Sequence, residues 1–336
     1  MRLLILGGTR FLGRAVARLA HAAGHDVTCL ARGEGGEPVE GVRFVPADRD
    51  APDWLSTLDG DRFDAAVDVT RRPSHSRRAV EALADRVGHW SFVSSVSVYA
   101  DFATPGQLAG TAPRLPPAPP EVDDPTGEHL EYYGGCKVSC EQAVLDRFGP
   151  DRSFLCRAGL IVGPEDPSGR FTYWVDRLAR GGRVLAPGDP AEPVQLIDVR
   201  DLAGWLVRAA EQGLTGSYDA TSAPVPRGRC LAEVAAGVGS PATLTWVDQA
   251  FLQAQEVQPW SGERSVPLWV PLPEYAGFMT HDVGPALAAG LTIRPLADTA
   301  AATLDWLRTD PGAAPATGLT GAEETELLRQ WDAAAG

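Results

Sequence analysis

The chain opens on four consecutive apolar residues at 3–6, closed by Gly7-Gly8. A short apolar run without polar alternation is the pattern of a strand buried on both faces of a parallel sheet. Phe11, Leu12, Val16, Leu19 and Ala20 follow at helical spacing, and Gly24 stops that helix. The alternation continues. Strands are expected over 27–30, 42–45, 63–69 and 90–93, and a helix over 74–87 with Val80, Leu83, Ala84 and Val87 on one face. A helix over 131–148 and a strand over 153–156 come next. Residues 194–213 read as a strand and then a helix opening at Asp201, and 217–220 as a short strand. Strands and helices in this order predict an α/β fold, a doubly wound parallel sheet of the Rossmann type.

Two kinds of segment break the pattern. Residues 101–128 hold Pro113, Pro116, Pro117, Pro119 and Pro120 before an acidic stretch. They read as a surface loop of polyproline character, either covering a site or simply solvated. Residues 160–193 and 241–310 are rich in Pro, Gly and Trp and read as a smaller, irregular substrate domain towards the C-terminus. The dinucleotide-binding domain is then 1–159 with 194–240. Residues 311–336 form a tail, in which Thr320-Gly-Ala-Glu323 is a capping box opening an amphipathic helix.

Composition narrows the function. A chain of 336 residues buries a full core without disulfide or metal staples. Lys and Arg number 30 against 44 Asp and Glu, a net charge of −14. Such a surface repels phosphate backbones and anionic lipid, so neither nucleic acid nor membrane is expected as a partner. The five cysteines form no CxxC pair and the histidines no HExxH, so neither a disulfide framework nor a metal site is expected. No apolar run approaches a membrane span, and the opening run is too short for a signal-peptide core. The expectation is a soluble cytoplasmic protein.

The first strand-to-helix turn reads Gly7-Gly8-Thr9-Arg10-Phe11-Leu12-Gly13. A strand enters it and a helix leaves it, as a dinucleotide site requires. Gly7 permits the tight turn, Gly13 lets helix approach strand, and the helix N-terminus offers N–H groups to a pyrophosphate. Arg10 stands where GxxGxxG has its middle glycine. The second strand ends in Leu30-Ala31-Arg32, with no carboxylate for a ribose 2′-hydroxyl. Arg10 and Arg32 suit a 2′-phosphate, so NADP(H) is expected over NAD(H), the alternative being two ordinary surface charges. Asp48-Arg49 follows the third strand, where a carboxylate either accepts from an adenine amino group or sits in a solvated loop.

The fifth strand runs into Ser94-Ser95-Val96-Ser97-Val98-Tyr99, and Tyr133-Gly-Gly-Cys-Lys137 follows on the next helix. Positions i and i+4 share a helix face, so Tyr133 and Lys137 point the same way. A free phenol titrates near about 10 and is a poor base at neutral pH. An ammonium about 4 Å away favours a phenolate by roughly 1–4 kcal/mol, depending on dielectric. Such a tyrosine moves a proton to or from a carbonyl or alcohol oxygen, and a strand-end serine holds that oxygen. Catalysis by Cys136, which lacks a basic partner, is not expected.

In this order, glycine turn, strand-end serines and YxxxK, the chain resembles the extended short-chain dehydrogenases/reductases, the NAD-dependent epimerase/dehydratase family. Arg157-Ala-Gly-Leu-Ile-Val-Gly-Pro164, Gln195-Leu-Ile-Asp-Val-Arg-Asp201, Leu291-Thr-Ile-Arg-Pro295 and Leu304-Asp-Trp306 extend the likeness over nearly the whole length. The glycine turn is similar to that of actinobacterial members. The resemblance implies Ser95 as catalytic serine, Tyr133 as acid/base, Lys137 also on the nicotinamide ribose, and a homodimer through the helices at 74–87 and 131–148. Val96-Ser97 stands where sugar 4,6-dehydratases carry Asp-Glu, and Ala158-Gly159-Leu160 lacks the Asn of nucleotide-sugar epimerases. Both departures argue against those chemistries. The family contacts substrate after the sixth strand, which selects Arg170, Tyr173 and Trp174, and Val96 and Ser97 of the strand-five motif are further substrate candidates. For Trp174 the rival reading is packing between domains, and for Trp260, Trp269, Tyr275 and Phe278 core packing is the expectation.

These readings converge on an NADP(H)-dependent oxidoreductase acting on a secondary alcohol or ketone of a small metabolite. A redox-neutral epimerase on the same scaffold, with a sugar-like or nucleoside-like substrate, is the alternative. A nucleotide-sensing or RNA-binding protein without turnover is the third reading, disfavoured by the charge and by the complete Ser95, Tyr133, Lys137 set.

Overall fold

The structure, a computed structural model, describes residues 1–310 and 317–335, so the first residues of the expected tail lie outside it. β1 (Arg2–Leu6), β2 (Asp26–Ala31), β3 (Arg43–Pro46), β4 (Phe63–Asp68), β5 (Val87–Ser95), β6 (Ser153–Ala158) and a seventh strand, Gly216–Ala220, form one sheet. Its order is seventh, β6, β5, β4, β1, β2, β3, and every pairing is parallel. The order reverses between β1 and β4, which opens a crevice at the carboxyl ends of the strands.

Both sheet faces are covered, which is why β1 is apolar throughout. Leu3 and Ile5 pack under α1 (Phe11–Ala22) and the helix Val199–Gln212. Leu4 and Leu6 pack on the other side, under α2 (Pro73–Leu83) and α3 (Tyr133–Phe148). All four are fully buried. At about 1.5–3 kcal/mol for each buried large aliphatic, this strand alone anchors a substantial part of the core.

Several element ends differ from the expectation. α2 stops at Leu83, and Val87 already pairs with Phe63 in the sheet. Residues 127–132 form a 3₁₀ turn, so α3 begins at Tyr133 itself. The helix expected from Asp201 starts at Val199, because the Asp198 side chain caps it by accepting from the Arg200 N–H at 2.7 Å.

A second core gathers α4 (Arg170–Ala179), the parallel strands Arg183–Pro187 and Thr243–Val247, and the helices Arg227–Gly237 and Gly321–Ala335. Segments read as irregular therefore contain regular structure. Cys230, Leu231 and Val234 pack in this second core, whereas Ala286 and Leu291 pack against the sheet. The Thr320–Glu323 capping box is present. The Glu323 N–H donates to Thr320 Oγ1, and the Thr320 N–H donates to Glu323 Oε2.

The Pro-rich loop is a strap. The Asp123 carboxylate accepts from the Ser74 N–H and hydroxyl, each at 2.6 Å, and from Arg72 Nε at 3.0 Å. It supplies the cap that α2 lacks locally. The variant Asp123→Ala is expected to lose about 1–2 kcal/mol of stability, read as a lower urea midpoint at unchanged slope.

Candidate active site

The glycine turn is shaped by contacts that a side chain would block. Gly7 has φ +103, and a Cβ on Gly13 would lie 2.0 Å from the Gly7 carbonyl oxygen. Arg10 sits in extended backbone at φ −139, so the missing middle glycine is not required for the turn. The left-handed conformation falls instead on Phe11, φ 41, at a cost of roughly 1–2 kcal/mol for a non-glycine residue. Phe11 lines two adjoining cavities, and strained backbone of this kind gathers at ligand contacts.

The smaller cavity, about 290 Å³, follows the crevice. Gly7, Arg10, Phe11, Leu12 and Gly13 line one side, and Ser95, Tyr133 and Lys137 the other. Backbone N–H groups at the start of α1 and open carboxyl ends of strands fit a dinucleotide there. Thr9 is buried in the turn and is not among the lining residues. Arg32 is exposed and 3.2 Å from Glu34. Asp48 is exposed and accepts from the Asp50 N–H. Arg49 forks its guanidinium onto Asp68 at 2.9 and 3.1 Å, both side chains are buried, and Arg49 is not among the residues lining this cavity.

Ser95 ends β5 and caps the next turn, its hydroxyl accepting from the Ser97 N–H at 3.1 Å. Tyr133 is half-buried at the first position of α3. Lys137, one turn on, is 3% exposed and donates from Nζ to the Thr70 and Val93 carbonyls, each at 2.7 Å. An ammonium carries three protons, so one is left for the cavity. Gly134 and Gly135 owe their smallness to close approach. A Cβ on Gly134 would lie 2.1 Å from the Ser97 carbonyl oxygen, and one on Gly135 would lie 3.2 Å from the Pro116 oxygen.

The larger chamber, about 590 Å³, shares Phe11, Ser95, Tyr133 and Gly159 with the crevice. Val96, Ser97 and Arg170 line it. Arg170 lies over the Trp260 ring at 4.6 Å, and its buried Nε has no hydrogen-bond partner among the described residues. Burial pushes the neighbouring Asp166 carboxyl up, with Ser168 opposing. Tyr173 and Trp174 do not reach the chamber. Both are buried in the second core, and Trp174 Nε1 donates to the Pro267 carbonyl. Trp260 and Phe278 pack at the edges of core clusters and also line the chamber, as do Phe102 and Leu115 from the loop region. Gln195, Thr221 and His281 are chamber residues that the sequence reading assigned no role.

A buried charge network backs the site. Glu141, one turn beyond Lys137, accepts from Ser94 Oγ, from Arg157 Nε and Nη2, and from Arg114 Nη1. Burial pushes its carboxyl up, but these donors, Arg157 foremost, hold it below the usual range overall.

The topology and glycine turn define an α/β protein of the Rossmann type. The chain belongs to the NAD dependent epimerase/dehydratase family, whose model matches residues 3–219. It is 25% identical over 230 residues to the epimerase family protein SDR39U1 of Bos taurus, covering 63% of this chain and 70% of that one. It is 27% identical to the 2'-dehydrokanamycin reductase of Streptomyces kanamyceticus over 214 residues, 61% of this chain and 57% of that one. Among solved structures, the Bordetella bronchiseptica enzyme WbmH, in complex with NAD+, superposes with a TM-score of 0.64 at 19% identity, covering 91% of this chain and 98% of that one. Among the described residues no helix is long and apolar enough to cross a membrane.

Two substitutions test this architecture. Lys137→Met leaves the Thr70 and Val93 carbonyls unpaired, and a lower melting temperature is expected, equivalent to about 1–3 kcal/mol for each orphaned group. Glu141→Gln leaves the Arg157 guanidinium short of its counter-charge, an expected loss of about 3–5 kcal/mol at neutral pH. The folded Glu141 carboxyl is held below its unfolded value, so its contribution is full above about pH 4.3. That contribution is lost as pH falls through the lower folded value. Urea unfolding from about pH 7 down to 3 checks it, with wild type and variant converging at the acid end.

Proposed function

We propose that this protein is an NAD(P)-dependent oxidoreductase interconverting a secondary alcohol and a ketone on a small metabolite. The observation that carries the reading is the meeting of Ser95, Tyr133 and Lys137 where the glycine-turn crevice joins the chamber. Gly7 and the start of α1 hold the pyrophosphate, and Lys137 the nicotinamide ribose. The dinucleotide, when bound, supplies the hydride donor or acceptor. Ser95 holds the reacting oxygen by hydrogen bond. Tyr133 removes the hydroxyl proton during oxidation and returns one during reduction. The third proton of Lys137 supports the phenolate, while its two carbonyl bonds fix the ammonium in place.

NADP(H) is favoured by Arg10, Arg32 and the lack of a carboxylate at the end of β2. Glu34 competes for Arg32, but a pair this exposed is worth about 0–1 kcal/mol and yields to a phosphate. The relative named as a reductase of dehydrokanamycin favours ketone reduction. The relative named as an epimerase family protein favours the second reading, a redox-neutral epimerase that retains its dinucleotide.

Mass spectrometry of small molecules released on denaturation separates the two. Stoichiometric NAD+ favours the epimerase and overturns the NADP(H) preference. An empty protein that binds NADPH above NADH favours the reductase. In either case Tyr133→Phe is expected to lower turnover by about 100-fold or more while dinucleotide binding persists, and full turnover in that variant refutes the mechanism.

A further inference from the structure

The chamber holds polar groups that hydride transfer does not use. His281 is 2% exposed and lines the chamber, yet neither ring nitrogen has a hydrogen-bond partner among the described residues. Thr221 is fully buried, also lines the chamber, and its hydroxyl is likewise unpartnered. An unsatisfied buried polar group costs about 1–3 kcal/mol, and native interiors hold few. Two such groups on the lining of one cavity point to a ligand that satisfies them.

His281 is held firmly for such a role. Its N–H donates to Gln195 Oε1 at 2.8 Å, and its carbonyl accepts from Gln195 Nε2 at 2.9 Å. Its ring packs against Tyr99, centroids 5.1 Å apart. Asp219 Oδ2 lies 3.5 Å from Nδ1, while Oδ1 accepts from the Tyr99 hydroxyl. The Tyr99 oxygen accepts from Arg157, which is itself bound to Glu141. A buried carboxylate beside one ring nitrogen favours the tautomer protonated there. Nε2 is then an acceptor. A substrate hydroxyl can donate to Nε2 and accept from Thr221, whereas an anion would meet an acceptor, with Asp219 close behind.

We propose that His281 and Thr221 form a hydroxyl-binding subsite of the chamber, with Asp219 as the positioning residue that sets the imidazole tautomer. The substrate then has at least two hydroxyl-bearing carbons, one reacting at Tyr133 and one anchored at His281. The inference rests on the chamber being the substrate site and is independent of the direction of hydride transfer.

The test compares trans-1,2-cyclohexanediol with cyclohexanol, binding to protein saturated with NADH or NADPH, which cannot oxidise an alcohol, and followed by ligand-observed NMR. The diol is expected to bind about tenfold more tightly. That advantage should vanish in His281→Leu and in the near-isosteric Thr221→Val, with cyclohexanol affinity unchanged. Thr221→Val alone carries the test if His281→Leu does not fold. Equal affinities in wild type, a preference that survives Thr221→Val, or no binding of the diol overturns the subsite. Asp219→Asn is expected to change the tautomer pattern of the His281 imidazole in ¹⁵N spectra, and an unchanged pattern removes Asp219 from the proposal. Binding is read without turnover, so failure of the hydride-transfer reading shows separately, in Tyr133→Phe.

Discussion

Lys137 ties the site to the sheet. Its ammonium is buried and bonded to two main-chain carbonyls, Thr70 just past β4 and Val93 within β5. A buried charge without such partners would be driven to neutrality or outward to solvent. Both carbonyls lie near the strand ends that border the crevice, so the bonds fix where α3 sits along the sheet. Tyr133 is one helical turn earlier and inherits that placement. The network at Glu141, one turn later on the same face, adds a second hold on the helix through Ser94 and Arg157. Three successive turns of one helix thus carry the candidate acid/base, its cation and its anchor.

The second core shapes the other half of the site. α4 turns its aromatic residues inward, Phe171, Tyr173 and Trp174 together, and leaves Arg170 at its first position on the chamber. The 275–283 segment is pinned to the strap by main-chain bonds, Gly277 to Phe102 and Gly106 to Thr280. Phe102 and Phe278 then meet edge to face on the chamber lining. The chamber is built from segments distant in sequence, while the crevice is built mainly from consecutive strand ends.

That difference explains what the sequence disclosed. Strands buried on both faces read as apolar runs, so β1, β2 and β4 to β6 were visible. The glycine turn and YxxxK declare themselves because their spacing is local. The end of α2 was hidden, since Ala84 and Val87 continue the helical period although Val87 is claimed by the sheet. α4 carried a legible signal in Phe171, Trp174, Val175 and Leu178 at helical spacing. Reading Tyr173 and Trp174 as substrate contacts obscured it. The pairing of Arg49 with Asp68 was not legible, because only the fold brings the two side chains together. His281 gave no signal at all. Its meaning comes from Asp219, Gln195 and Tyr99, which only the fold brings beside it.

Gly134 and Gly135 have a consequence for the order in which the molecule comes apart. Each weakens a helix by about 1 kcal/mol relative to alanine, and together they leave the opening turn of α3 poorly supported by its own sequence. What holds that turn is the strap. The Ala118 N–H bonds the Gly135 carbonyl, and Leu115 lies over Gly134. Local opening of the strap therefore releases Tyr133 while the sheet and Lys137 remain folded. On warming, the turn that carries Tyr133 is therefore expected to loosen ahead of the sheet, so local opening and global unfolding become two separate events.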